Sequence, residues 1–336
     1  MNNAPLVIEN TRPVRSSDRL LRAAQWLLLA IILLIYASTA HAQNLVPDVD
    51  YAIFVSQREG ATELYLLDLN TRQVSQLTQT GRAHITPYIA SGARILTFAS
   101  REGSSYELFT AQISSAWRTR RPELAAINRL TFDSIDEISP SLSNDATKMA
   151  FASSNGIEVM GSTGEGRRVL VPSSESYFIF APAISPDGRQ VAFISNRSGA
   201  NEIWMASATT GETRQLTSGG AVLGGLSWSA DGQQIVFTTA ATASKLSGIA
   251  IASAVDGSFR LVTRGDNDGE ASISSSGTFI IFTSLRDGNP ELYLLNLRDN
   301  SVERLTNNPG VDGGAVFVQM PTSSIRRTPT PGRTVR

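Results

Sequence analysis

Short apolar runs separated by polar, glycine-bearing turns fill the chain from about residue 49 to 320, and they recur as a unit. Each copy has an apolar run ending near a Phe, a tight polar turn, a second apolar run, and a closing segment near a Leu-Thr pair. The marker phenylalanines are Phe54, Phe98, Phe151, Phe193, Phe237 and Phe282, spaced by 44, 53, 42, 44 and 45 residues. A period of this size marks a repeat architecture, whose single units cannot bury their apolar faces alone. In the copy that starts at Pro182, the pattern predicts strands over 183–185, 190–194, 202–206 and 213–217. Pro186-Asp187-Gly188 and Thr209-Thr210-Gly211-Glu212 supply turns between them. Four short antiparallel strands in about 45 residues match one propeller blade.

The hairpin between second and third strands is the sharpest signature. Blade 1 reads Phe54-x-Ser56-x-Arg58-x-Gly60-x-x-Glu63-Leu64-Tyr65. Blade 4 repeats it with Phe193, Ser195, Arg197, Gly199, Glu202, Ile203 and Trp204, and blade 6 with Phe282, Ser284, Arg286, Gly288, Glu291, Leu292 and Tyr293. Blade 2 keeps Ser100, Gly103, Glu107, Leu108 and Phe109 with a shifted spacing. An Arg and a Glu that return at one blade position point to an architectural role, as a charged hairpin or an inter-blade pair. Leu77-Thr78, Leu130-Thr131, Leu216-Thr217 and Leu305-Thr306 mark fourth strands, with Leu261-Val262-Thr263 in blade 5. Blade 3 has Val169-Leu170-Val171 there, and its hairpin around Asn155-Gly156 is trimmed. An insertion over 114–126, carrying Trp117, Arg118, Arg120 and Arg121, accounts for the 53-residue spacing.

Blade 1 opens directly at its second strand, over 51–55, and the segment 312–318 resembles 268–274 from blade 6. The C-terminal segment therefore supplies the missing strand of blade 1, which removes an exposed strand edge. The expected fold class is all-β, a six-bladed β-propeller over 43–320 with the C-terminal strand closing blade 1.

These residues resemble the TolB-type propeller family (WD40-like, PD40 repeat), whose repeat reads roughly D-x-x-P-x-[WF]-S-P-D-G-x-x-[IL]-A-F-x-S. Blade 4 carries Pro182-Ala183-Ile184-Ser185-Pro186-Asp187-Gly188 and Val191-Ala192-Phe193-Ile194-Ser195, and blade 5 carries Ser227-Trp228-Ser229-Ala230-Asp231-Gly232. The family's namesake has an α/β domain ahead of its propeller. Here the leader takes that place, so the expectation is a TolB-like propeller without that domain. The resemblance also implies kinship with propellers that cap prolyl oligopeptidase-type hydrolases and with sugar lyases.

Composition narrows the chemistry. Hydrophobic residues are 41% and charged residues 18%, enough to bury a core. A net charge of −1 makes no global case for nucleic acid. The absence of cysteine removes disulfides, thiolate metal sites and a cysteine nucleophile. Arg12, Arg15, Arg19 and Arg22 precede an apolar stretch, and Ala40 and Ala42 give an A-x-A arrangement before Gln43. Residues 1–42 thus read as a signal peptide, or as an N-terminal membrane anchor over 23–40 if the leader is retained. Either way the rest of the chain is exported, periplasmic or extracellular. The segment 321–336 is Pro, Thr, Ser and Arg with no acid, and reads as a disordered basic tail.

No G-x-S-x-G elbow and no GKS or GKT phosphate loop is present, and after the leader His84 is the one histidine. The expectation is no enzyme, no catalytic residue and no required cofactor. In the family, the residue three before the first-strand Pro lies near one opening of the central channel. That position falls on His84, Glu137, Ile179, Leu223, Asp268 and Asp312. The resemblance so implies a mouth with an acidic arc of Asp268, Asp312, His84 and Glu137, and an apolar arc of Ile179 and Leu223 near Tyr177, Phe178 and Phe180. Such a mouth suits a ligand or peptide that is cationic on one side and apolar on the other. Alternatively these residues only cap turns. Calcium is a second candidate there, through Asp266-Asn267-Asp268 with Glu137 and Asp312 as further oxygen donors. The function read from the sequence is a monomeric, non-catalytic scaffold that binds a protein or peptide of the cell envelope. It touches the membrane only through an uncleaved leader. A regulatory propeller serving a separate peptidase, and a lyase-like carbohydrate-active propeller, are the other readings.

Overall fold

The computed structural model describes residues 51–90, 94–113, 124–219, 222–240, 247–265 and 267–318. The leader expected over 1–42, residues 114–123 of the insertion, Asp266 and the tail expected over 321–336 lie outside the described residues. The described strands form six four-stranded antiparallel sheets. The strand Asp312–Val318 pairs with Tyr51–Ser56 and is followed in that sheet by Glu63–Asp68 and Val74–Gln76, so the C-terminal strand completes blade 1.

Six first strands stand innermost: His84–Ala90, Ile138–Leu142, Ile179–Ile184, Val222–Trp228, Asp268–Ile273 and Asp312–Val318. Each contacts the first strand of the next blade, and the last contacts the first, which closes the ring. In blade 4 the first strand begins at Ile179, four residues before the sequence pattern places it, because a register shift between Phe180 and Ala183 lets the strand continue through a bulge. Its fourth strand is the shorter Thr213–Gln215.

The marker phenylalanines are all buried, at 0–1% exposure, and they form the core between blades. Phe98 packs with Ile53 and Leu64 of blade 1, Phe193 with Ala150 and Ile157 of blade 3, and Phe282 with Val236 and Ile249 of blade 5. Each blade thus buries its apolar face only by docking on its neighbour. The Leu-Thr marker has a definite job. Thr78, Thr131, Thr217, Thr263 and Thr306 each accept, through Oγ1, a hydrogen bond of 2.9–3.0 Å from the backbone of the third strand. This satisfies an inner N–H where the short fourth strand ends. The recurrent Glu completes the corner: Thr217 and Thr306 donate to Glu202 and Glu291, and the backbone of Gly81 and Asn308 donates to Glu63 and Glu291.

Candidate functional site

Every first strand carries one left-handed residue at the same place: Thr86, Ser139, Ala181, Gly225, Glu270 and Gly314, with φ between 48° and 68°. Register shifts in all six sheets coincide with it. The bulge bends each strand around the central channel. Side chains lace the bulges together, with Ser139 N donating to Thr86 Oγ1 at 3.2 Å and Gly314 N to Glu270 Oε2 at 2.8 Å. From these bulges to the turns that follow the first strands runs an open cavity of about 300 Å³. Its wall is mostly apolar or small, with Ile89, Leu226, Trp228 and Phe317 among it, and Glu270 is the one charged residue among those that line it. The Glu270 carboxylate is further fixed by Thr283 Oγ1 at 2.9 Å. Sequence reasoning passed over Glu270, although it stands where blades 2, 3 and 4 place the residue before proline.

None of the six residues expected at the mouth lines this cavity; they stand at or next to the start of the same strands, at the opposite end. Asp312 is fully buried, with both carboxylate oxygens on Arg58 Nη2 at 2.8 and 3.0 Å. Asp268 is 5% exposed and accepts from Ser284 Oγ at 2.7 Å and Arg286 Nη2 at 2.8 Å. The recurrent Arg and Glu of the hairpin therefore serve different partners. In blades 1 and 6 the Arg reaches the first-strand acid of its own blade, and the Glu holds the corner to the next.

His84 is 3% exposed, sits 3.3 Å from Glu63 of the preceding blade, bonds Thr80 Oγ1 and meets Phe98 edge-on. Burial pushes its pKa down, against the opposite pull of Glu63. Ile179 is half-buried. Leu223 is 53% exposed because a register shift between Val222 and Gly224 turns it outward, and Val222 takes the inward place. Backbone bonds agree: Val222 N donates to Asn201 O as His84 N does to Thr62 O, Glu137 N to Tyr106 O and Asp312 N to Pro290 O.

Glu137 is fully buried beside Arg167, 2.8 Å away. Blade 3 lacks the hairpin arginine, and Arg167 supplies the guanidinium from the far side of the sheet, stacking over Phe151 at 5.1 Å. It must serve Glu158 and Asp133 as well. Burial accordingly raises the Glu137 pKa to about 7, with Thr131 and Arg167 opposing. The folded pKa lies above the unfolded value of roughly 4.3. Stability from this group is then fully present in acid and is lost as pH rises through about 7. Thermal melts should show Tm falling across that range, and Glu137→Gln should flatten the fall. An unchanged pH profile in the variant contradicts the assignment.

Glu107, Asp133 and Glu137 bring carboxylate oxygens within 4.8 Å of one another, a donor set suited to a hard cation, although Arg129 and Arg167 already engage it. The calcium donors expected from the sequence are dispersed. Glu137, Asp268 and Asp312 stand on different blades, each engaged by a different arginine, and Asp266 lies outside the described residues.

Residues 127–286 match the family model described as "TolB beta propeller domain". A Protein TolB homolog from Chlorobium chlorochromatii is 27% identical over 145 residues, covering 43% of this chain and 31% of that protein. The chain thus spans about a third of the length of that relative. Among solved structures, TolB from Acinetobacter baumannii superimposes with a TM-score of 0.67 at 19% identity, over 80% of this chain and 66% of that one. An oligogalacturonate lyase in complex with manganese superimposes with a TM-score of 0.51 at 18% identity, over 74% and 86%. Both structural likenesses are likenesses of fold. The repeats matched over residues 127–286 to the TolB beta propeller model thus lie within a six-bladed β-propeller whose C-terminal strand closes blade 1.

Proposed function

We propose that this protein is an exported, non-catalytic propeller that acts as a protein- or peptide-binding scaffold in the cell envelope. The observation that carries the reading is the channel: an open cavity, about half apolar, with one fixed carboxylate, Glu270. A concave site with a few oriented polar groups is the usual form of a recognition site, and a lone carboxylate among its charges favours a cationic group. A short peptide segment bearing Lys or Arg meets both conditions. The envelope setting rests on the TolB-type repeats, the TolB relative and the leader over 1–42.

Two measurements test it. N-terminal sequencing of protein recovered from the periplasmic or culture fraction should begin at Gln43. Immobilised protein should retain a discrete envelope partner, and Glu270→Gln should weaken that retention about tenfold, the loss of one charge-assisted contact. A chain that stays in the cytoplasm, or a partner held equally by the variant, defeats the reading. The lyase alternative draws on the fold shared with oligogalacturonate lyase. Incubation with oligogalacturonate and detection of an unsaturated product decides it.

A further inference from the structure

The hairpin arginine is built three times in one geometry. Arg58, Arg197 and Arg286 each donate Nε to the last serine of the second strand, Ser56, Ser195 and Ser284, at 2.9, 3.1 and 3.0 Å. Each guanidinium lies over the blade's marker Phe and over the aromatic of the third strand, Tyr65, Trp204 or Tyr293, at 4.7–5.5 Å. In blades 1 and 6 one terminal nitrogen, Nη2, donates to the first-strand aspartate that pairs with the same serine, Asp312 opposite Ser56 and Asp268 opposite Ser284. In blade 4 the residue opposite Ser195 is Ile179. Arg197 Nη2 is buried there with no acceptor, and so is the neighbouring indole Nε1 of Trp204. Tyr177 packs on the same guanidinium, 4.7 Å away, and the next residue, Phe178, is 73% exposed.

We propose that blade 4 holds a carboxylate-binding site, in which an external carboxylate takes the place that Asp312 and Asp268 fill in their blades. A buried donor without an acceptor is destabilising, and more so when it is charged. Two such donors on stacked side chains, one of them a guanidinium, call for an anionic acceptor. Exposed Phe178 at the rim suits a carboxylate borne on an apolar residue, such as a peptide C-terminus. The site lies on the hairpin side of the ring and is independent of the channel around Glu270.

The test uses the whole protein and the indole N–H resonance of Trp204, assigned with Trp204→Phe. N-acetylphenylalanine should shift that resonance saturably, and N-acetylphenylalanine amide, of the same shape without the charge, should not. Acetate as a second probe separates the sources: a shift with both acids assigns a site for free carboxylates, and a shift with N-acetylphenylalanine alone assigns a site for a chain terminus. Ile179→Asp places the missing acid inside the fold, so it should abolish the carboxylate response and raise Tm. A resonance unmoved by either acid overturns the proposal, as does one moved equally by the amide. The wild-type comparison of acid with amide stands even if Ile179→Asp fails to fold.

Discussion

A chain ending at residue 311 should not give a cooperative melt, whereas one ending at residue 320 should melt with the full-length protein. The shorter chain loses the strand Asp312–Val318, the innermost strand of blade 1 and the only link that pairs the two ends of the described fold. Ala315, Phe317 and Val318 are buried to 7% exposure or less. Burying a Phe or Val is worth roughly 1.5–3 kcal/mol each, before the ladder hydrogen bonds are counted. The loss extends further. This strand also packs on the first strands of blades 2 and 6, so both of those blades lose a docked neighbour. Against a total stability of about 5–15 kcal/mol, that loss removes most or all of the margin. It also bares the edge of Tyr51–Ser56, whose buried apolar residues make a template for aggregation. Circular dichroism melts and size-exclusion chromatography read the outcome. A chain ending at 311 that stays monomeric and melts within a few degrees of wild type would show that the ring does not depend on its closing strand.

That closure was legible in the sequence because a blade without a first strand and a first strand without a blade stood at opposite ends. The six phenylalanines were legible for a similar reason. A residue that must fill the same inter-blade hole in every copy returns at a fixed period, and Phe54, Phe98, Phe151, Phe193, Phe237 and Phe282 do. The site was less legible. Leu223 satisfies the offset from the bulge that Asp268 satisfies, but an added irregularity in blade 5 shifts the inward place to Val222, and no residue type announces such a shift. Arg167 replaces the missing hairpin arginine of blade 3 from the other side of the sheet, so spacing along the hairpin could not find it. Glu270 escaped because its left-handed backbone is a property of the bulge, shared with Thr86 and Ala181, and its chemistry appears only when six such bulges face one channel. Repetition makes architecture visible and hides the one copy in which a repeated position does something else.

Asp312→Ala should cost about 3–5 kcal/mol of stability, the loss that follows when one partner of a buried ion pair is removed. Asp312 is fully buried and Arg58 exposes 18% of its side chain, so solvent has little access to reclaim the stranded guanidinium. Phe54 and Tyr65 flank it and offer ring faces, which give a cation less than a carboxylate does. The double variant Asp312→Leu with Arg58→Met should recover most of the loss, because apolar residues of similar volume can replace a buried pair at little net cost. Urea denaturation of wild type, both single variants and the double variant gives the coupling energy directly. The same cycle separates two readings of the acidic arc. An aspartate committed to its own arginine yields a large coupling and a large single-variant loss. An aspartate held ready for an external cation yields a loss below about 1 kcal/mol, as an exposed, loosely paired charge does. With both oxygens of Asp312 already on Nη2, a cation arriving from outside would first have to displace a guanidinium held by Ser56 and lying over two rings. The first outcome is therefore the expected one. It leaves recognition to the places where the repeat is broken, at Glu270 in the channel and Arg197 in blade 4.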